Sequence, residues 1–443
     1  MTSLDLDYVR QQFPAFAEPS LQGTAFFENA GGSYLCQPVL QRLDEYVHQL
    51  KLQPYYPNPV SAKAGAWMDA SYEALGQWMN TPGDTVYFGP STSQNTWVLA
   101  HAVMEWLRPG DEIIVTNQDH EANTGVWRKL AQYGLVIREW RMDAQGVLQL
   151  ADLQALLGDN TRLLAFPHCS NILGDINPVA EICALASQYG VRTVVDGVSF
   201  AGHGLPDIQA LGCDIYLYSL YKVYGPHQGV MVVQPQMAAL LGNQGHFFNS
   251  DVRAKRLTPA GPDHAQVAAA SGVSDYFEGL YQHHFAAADA LLQQPSPSPQ
   301  PSPQPSPQPS PQPSPQPSPR PSPRQKAEAV RHLLHQSELR HIQSLLDYFR
   351  QHPAITLVGP DRLENRAPTL SIQVAGHQPL ELAQQLGQQG ILCGAGHFYS
   401  WRLLEALGID PQAGVLRFSM VHYTSANDVV QLLQALDGLI GSD

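Results

Sequence analysis

Lys222 stands three residues past the apolar run DIYLYS (214–219), among Tyr221, Tyr224 and Gly225. An ammonium in such company is costly to desolvate unless it is neutral or covalently used, which makes Lys222 a Schiff-base candidate; an ordinary strand-end lysine is the alternative. Asp196 closes VRTVVD (191–196). A carboxylate there either caps a turn or pairs with a pyridinium nitrogen and keeps a bound cofactor able to accept electrons. Asp119 and His120 follow DEIIV (111–115); His168, Ser170 and Asn171 follow TRLLAF (161–166); Ser219 and Tyr221 lead into Lys222. In an α/β sheet ligands gather at the carboxyl ends of strands, so all of these are site candidates. GPSTSQNTW (89–97) places small hydroxyl residues and backbone amides ahead of the helix-like WVLAHAVMEWL. That arrangement binds phosphate at a helix N-terminus, or simply caps the helix. No Walker loop, GxGxxG fingerprint or HExxH occurs, so nucleotide and zinc-hydrolase readings have no local support.

These residues need a frame. The runs above, with GVMVV (229–233), alternate with helical patterns such as PVAEICALASQYG, which predicts a mainly parallel sheet covered by helices. Residues 295–324 repeat Pro-Ser-Pro-Gln and end with Arg320 and Arg324. Lacking apolar side chains and many backbone donors, they are expected to form an exposed, extended linker that could span on the order of 90 Å at about 3.1 Å per residue. It is either an expansion of a surface connection or a ligand for a proline-reading domain. Beyond it, residues 325–352 read as one long helix, TLSIQVAG, GILCG and GVLRFSM as strands, and SANDVVQLLQALDGLI as a last helix. The expected organisation is an N-terminal segment (1–15) packing on the small domain, a large domain (16–285), the insert (295–324) and a smaller α+β domain (325–443).

With 25 Lys and Arg against 39 Asp and Glu, the formal charge is −14, which disfavours nucleic acid and anionic membrane surfaces as partners. No run approaches a membrane span, and the acidic start does not read as a secretory signal. Five scattered cysteines without a CxxC pair suggest neither a zinc site nor a redox motif, and fit a reducing cytoplasm.

In order along the chain, FFENAGGS (26–33), GPSTSQNT (89–96), DHEANTGVW (119–127), HCSNILGDINPV (168–179), VVDGVSFAGH (194–203), SLYKVYGPHQG (219–229) and LRFSMVHYTSANDV (416–429) resemble the class V aminotransferase family, in its cysteine desulfurase-like branch. The resemblance covers nearly the whole chain outside the insert. It implies a fold-type I pyridoxal 5'-phosphate enzyme: a large domain with a mainly parallel seven-stranded sheet, a smaller α+β C-terminal domain, and a homodimer with its site at the subunit interface. By this similarity Lys222 carries the cofactor, Asp196 meets the pyridine nitrogen and His120 stacks on the ring. Asn171 reaches the phenolic oxygen, and Thr92, Ser93, Ser219 and Tyr221 surround the phosphate. Arg417 clamps the substrate α-carboxylate, a role suited to a planar bidentate donor, Asn171, Ala30, Gly31 and Tyr399 border the substrate, and Ser199 is a further cofactor contact.

Departures from the family pattern bear on the reaction. Tyr399 stands where a persulfide-forming cysteine is expected, Gly394 where an arginine is common, Ser199 where a glutamine is common, and Gly261 in place of a threonine that would reach the neighbouring subunit's phosphate. Cys393 lies near the missing thiol and reads as a structural strand residue. The favoured expectation is carbon–sulfur lyase-type β-elimination on cysteine, cystine or a conjugate. Persulfide-forming desulfuration, transamination or racemisation, and a non-catalytic cofactor-binding scaffold with a proline-rich partner segment are the alternatives.

Overall fold

In the computed structural model, residues 2–292 and 321–441 are described; most of the Pro-Ser-Pro-Gln repeat, and with it the expected linker, lies outside them. A short strand β1 (Ala25–Phe26) precedes the largest sheet, which consists of β2 (Val86–Gly89), β3 (Glu112–Thr116), β4 (Val136–Trp140), β5 (Thr161–Pro167), β6 (Arg192–Asp196), β7 (Ile215–Ser219) and β8 (Gly229–Val233). The order is β2-β8-β7-β6-β5-β3-β4. Only β8 runs against its neighbours; the other pairings are parallel. β5 to β8 are buried almost end to end, as a sheet covered on both faces requires. Alternate residues feed opposite cores: Val230 and Val232 pack with the helices Pro59–Trp78 and Ser271–Leu292, while Met231 and Val233 pack with Thr92–Val103 and Glu121–Lys129.

After the repeat, β9 (Ile355–Val358), β10 (Thr369–Val374), β11 (Ile391–Leu392), β12 (Gly394–Gly396) and β13 (Val415–Ser419) follow. β12-β13-β10-β9 form an antiparallel sheet, and β1 pairs in parallel with β11, so the start of the chain is stitched to its C-terminal unit. Ile342, Leu346 and Phe349 of one helix and Leu432 and Leu436 of the last helix cover this sheet.

The long helix starts at Pro323, inside the repeat, because Ser322 forms a reciprocal capping box with Gln325 and Pro323 takes the first helical position. The helix beginning at Ser271 runs to Leu292. The N-terminal segment bridges two bodies: Arg10 pairs with Asp428 and donates to the Tyr423 carbonyl (3.0 Å), while the Asp5 amide donates to His284 (2.9 Å).

Candidate active site

The carboxyl ends of β3, β5, β6 and β7 deliver His120, Asn171, Asp196 and Lys222 into one pocket. β7 ends at Ser219, and a single 3-10 turn, Leu220–Lys222, turns the lysine inward. Behind it Tyr224 adopts a left-handed φ of 62°, a strained state for an aromatic residue that needs surrounding support. Its buried hydroxyl donates to the Gly202 carbonyl and lies 3.2 Å from His422 Nδ1. Burial, reinforced by the Arg417 charge and opposed by Asp196 and Glu28, brings the Lys222 pKa down to about 8.

Asp196 accepts from the Val198 amide at 2.8 Å. Burial raises its pKa to about 6, against the stabilising pull of that amide and of Lys222. Asp119 shares this floor, accepting from the His120 amide (2.8 Å) and Asn123 Nδ2 (2.6 Å); burial and the nearby Asp196 charge push its carboxyl well up. His120 caps the helix Glu121–Lys129, its Nδ1 accepting from the Ala122 amide at 3.0 Å. That bond assigns the proton to Nε2. Burial and the charges of Lys222 and Arg417 lower the His120 pKa to about 3, so its ring is neutral in ordinary buffers.

At the other end of the pocket, Ser91 caps the helix Thr92–Val103 and Thr92 Oγ1 lies 2.8 Å from Ser219 Oγ. Gly229 makes this approach possible: a Cβ there would stand 2.3 Å from Ser91 C and 2.5 Å from Thr92 N. Ser93, Ser199 and Tyr221 complete the lining, and Tyr221 stacks on His227 with ring centroids 4.5 Å apart.

The pocket opens into a cavity of about 770 Å³ bordered by Ala30, Gly31, Glu28, Tyr399 and Arg417. Arg417, on β13, is buried and already engaged: Nη2 donates to Glu28 Oε1 (2.8 Å), Nη1 donates to the Asn171 carbonyl (3.1 Å), and the Phe398 ring lies 3.7 Å from the guanidinium carbon. The Asn171 side chain is also occupied, donating to the Phe398 carbonyl (3.0 Å) and accepting from Ser400 Oγ (2.7 Å). Phe398 and Tyr399 are consecutive residues at φ 47° and 59°. Tyr399 is 67% exposed at the rim, its carbonyl accepting from the Glu121 amide (2.8 Å) and its ring 5.3 Å from His120. Glu28, the ion-pair partner of Arg417, was not singled out in the sequence although it lies within FFENAGGS. Cys393 falls between β11 and β12, half-buried, and burial pushes its thiol up to about 12. Among the described residues no group of three or more His, Cys, Asp or Glu could hold a metal ion.

The donor set fits pyridoxal phosphate. A buried amine with a neutral fraction suits an aldehyde, a buried carboxylate suits a ring nitrogen, and a helix N-terminus with hydroxyls, approached at glycine distance by β8, suits a phosphate. A pyridoxal-phosphate pocket at the carboxyl ends of a seven-stranded sheet, with a smaller antiparallel unit at its mouth, is the plan of the fold-type I enzymes, and this chain is one of them. It belongs to the family described as Aminotransferase class-V, whose profile matches residues 25–243 and 328–432, on both sides of the repeat. Among curated relatives it is 31% identical to an aminotransferase-like protein of Gibberella zeae over 98% of both chains. It is 29% identical to a probable cysteine desulfurase of Pseudomonas aeruginosa over 97% of this chain and 96% of the other. Among solved structures, the apo cysteine desulfurase of Thermococcus onnurineus superposes with a TM-score of 0.81 at 20% identity over 99% of both chains, a likeness of fold.

Proposed function

We propose that the enzyme acts on cysteine, cystine or a conjugate of cysteine and breaks the Cβ–sulfur bond by elimination. One observation carries this choice: the residue at the rim, next to His120, is a phenol, Tyr399, and the cysteine nearest to it in sequence, Cys393, has a thiol raised to about 12 by burial. A thiolate is the form that receives sulfur. The names of several relatives support cysteine as the substrate.

When bound, pyridoxal phosphate supplies an aldehyde that condenses with amines and a ring that takes up the electron pair released at Cα. Asp196 would pair with the ring nitrogen and hold its proton. Arg417 receives the α-carboxylate. Lys222 would hold the cofactor and, as a neutral amine, would take the Cα proton on Nζ; a pKa near 8 leaves a usable neutral fraction at physiological pH. Neutral His120 would sit beside the ring without competing for that proton. Thr92, Ser93, Ser219 and Tyr221 would hold the phosphate. With sulfur as leaving group at Cβ, cysteine and water yield pyruvate, ammonia and sulfide, with no protein thiol required.

Persulfide-forming desulfuration is the second reading, favoured by the relatives named cysteine desulfurase. The test is to incubate the holoenzyme with cysteine and measure three products: pyruvate and sulfide released together support elimination, alanine with reductant-labile sulfur on the protein supports desulfuration and overturns the first reading. Lys222→Ala is expected to lose more than about a thousandfold in turnover. We further propose a homodimer, supported by the exposed Phe247, Phe248 and Val252 and by the groove along Leu257–Pro262 beside the helix Thr92–Val103. No described helix is long and apolar enough to cross a membrane.

A further inference from the structure

Arg417 carries a carboxylate before any substrate arrives. Glu28 sits beside it with one oxygen, Oε1, at 2.8 Å from Nη2. The other oxygen is buried without a hydrogen-bond partner, and so is Arg417 Nε. A guanidinium and a carboxylate can form two parallel bonds; here one is made and each partner keeps an unsatisfied atom. The position of Glu28 is enforced by missing side chains: a Cβ on Gly31 would lie 2.5 Å from Oε1, and one on Gly394 would lie 2.3 Å from Oε2. β1 and the antiparallel sheet hold the two residues from opposite ends of the chain, the pairing of β1 with β11 and the isolated bridge of Glu28 with Ser419 fixing the register.

The charge pattern of the cavity follows. Glu28, Arg417 and Lys222 line the same cavity, and Lys222 is consumed by the cofactor. Arg417 and Glu28 cancel at long range, so the mouth offers a carboxylate-shaped hydrogen-bonding site without a surplus of positive charge. The remaining wall lysine, Lys129, lies over the Trp97 ring at 4.6 Å. One substrate carboxylate can bond the guanidinium. A second anionic group finds Lys129 as the one further cation lining the cavity, faced by Glu121 on the same wall, and it meets the field of Glu28.

Building on the reading of Arg417 as the α-carboxylate clamp, we propose that Glu28 is a specificity-determining residue that restricts the enzyme to amino acids with a single anionic group and rejects those bearing a second, such as a side-chain carboxylate or sulfinate. It acts by charge; the hydrogen bond it accepts from Arg417 can be kept by an amide oxygen.

The experiment uses the purified holoenzyme and reads binding from the change in cofactor absorbance, so that no leaving group is needed. L-Alanine and L-aspartate are titrated into the wild type, Glu28→Gln and Glu28→Asp. In the wild type alanine binds more tightly than aspartate. Glu28→Gln is expected to shift the ratio of the two dissociation constants toward aspartate by about tenfold or more, and Glu28→Asp, which keeps the charge one methylene further back, to retain most of the wild-type ratio. A ratio unchanged within twofold in Glu28→Gln overturns the proposal, as does an equal change for both ligands, which would make Glu28 only a support for Arg417. Should Glu28→Gln fail to hold cofactor, turnover of cysteine against cysteine sulfinate by the wild type decides: comparable kcat/KM for the two overturns it. The clamp reading is tested separately by Arg417→Lys, where an unchanged alanine affinity removes that reading and leaves the Glu28 ratio as measured.

Discussion

Asp196 is buried at the floor of the pocket beside Asp119, and both carboxyls are raised mainly by burial. The folded-state value of Asp196, about 6, lies above its ordinary 3.8, so folding favours the protonated form. Its contribution to stability is complete below about pH 4 and is lost as the pH rises through about 6. Cofactor-free protein is therefore expected to lose several degrees of Tm across that window. Asp196→Asn should flatten the loss and gain less Tm from added pyridoxal phosphate than the wild type; scanning fluorimetry with and without cofactor measures both, and an unchanged apo profile would remove Asp196 from this account. The rate should show a second dependence, rising as the pH climbs through about 8 and Lys222 becomes a neutral base. Lys222, Asp196 and His120 were legible because each directly ends or follows an apolar strand, where sequence position and spatial position coincide. Glu28 was not: its meaning depends on Arg417, 389 residues away, and the signal that could have found it was the pair of glycines, Gly31 and Gly394, that make room for a long acidic side chain.

Elements bring these residues together only if backbones approach closely. β8 passes the start of the helix Thr92–Val103 at a distance that leaves no room for a methyl group at Gly229. Gly229→Ala is expected to push Ser91 and Thr92 back and to weaken cofactor binding by tenfold or more while the fold persists; equilibrium titration of the apoprotein with pyridoxal phosphate, alongside far-UV circular dichroism, separates the two effects. The long helix after the repeat depends on its cap, and Ser322→Ala should lower stability by about 1 kcal/mol, read as a fall in denaturation midpoint at constant slope. The apolar runs anticipated β3 and β5 to β8 because these strands are buried on both faces. β4 carries Arg138 and Glu139 on an edge with only Trp140 fully buried, and β1 has two residues; neither composition nor alternation marks strands of that kind, whereas GILCG did mark β11. The start of the helix at Pro323 was hidden for a different reason, since the repeat's Ser-Pro unit is also a helix-starting signal.

For the whole molecule, the open question is what covers the surface beside the phosphate cradle. Phe247 is 86% exposed and Phe248 68%, and the chain continues from them through Leu257–Pro262, which form a groove with Phe88, Val98 and Gln94 next to the same helix that starts at Thr92. Adjacent phenylalanines left in water, beside the exposed Val252, form an apolar patch of the kind that marks an interaction surface. If a second copy covers them, two measurements must move together. Sedimentation should give about twice the 48.6 kDa chain mass, and Phe247→Asp with Phe248→Asp should shift it toward one chain. Because the groove borders the cradle, that variant should also release pyridoxal phosphate more readily, by about tenfold, although neither substituted residue lines the pocket itself. A monomeric variant with unaltered cofactor affinity would separate assembly from the site, and a monomeric wild type would end the dimer proposal while leaving the pocket chemistry of Lys222 and Asp196 untouched.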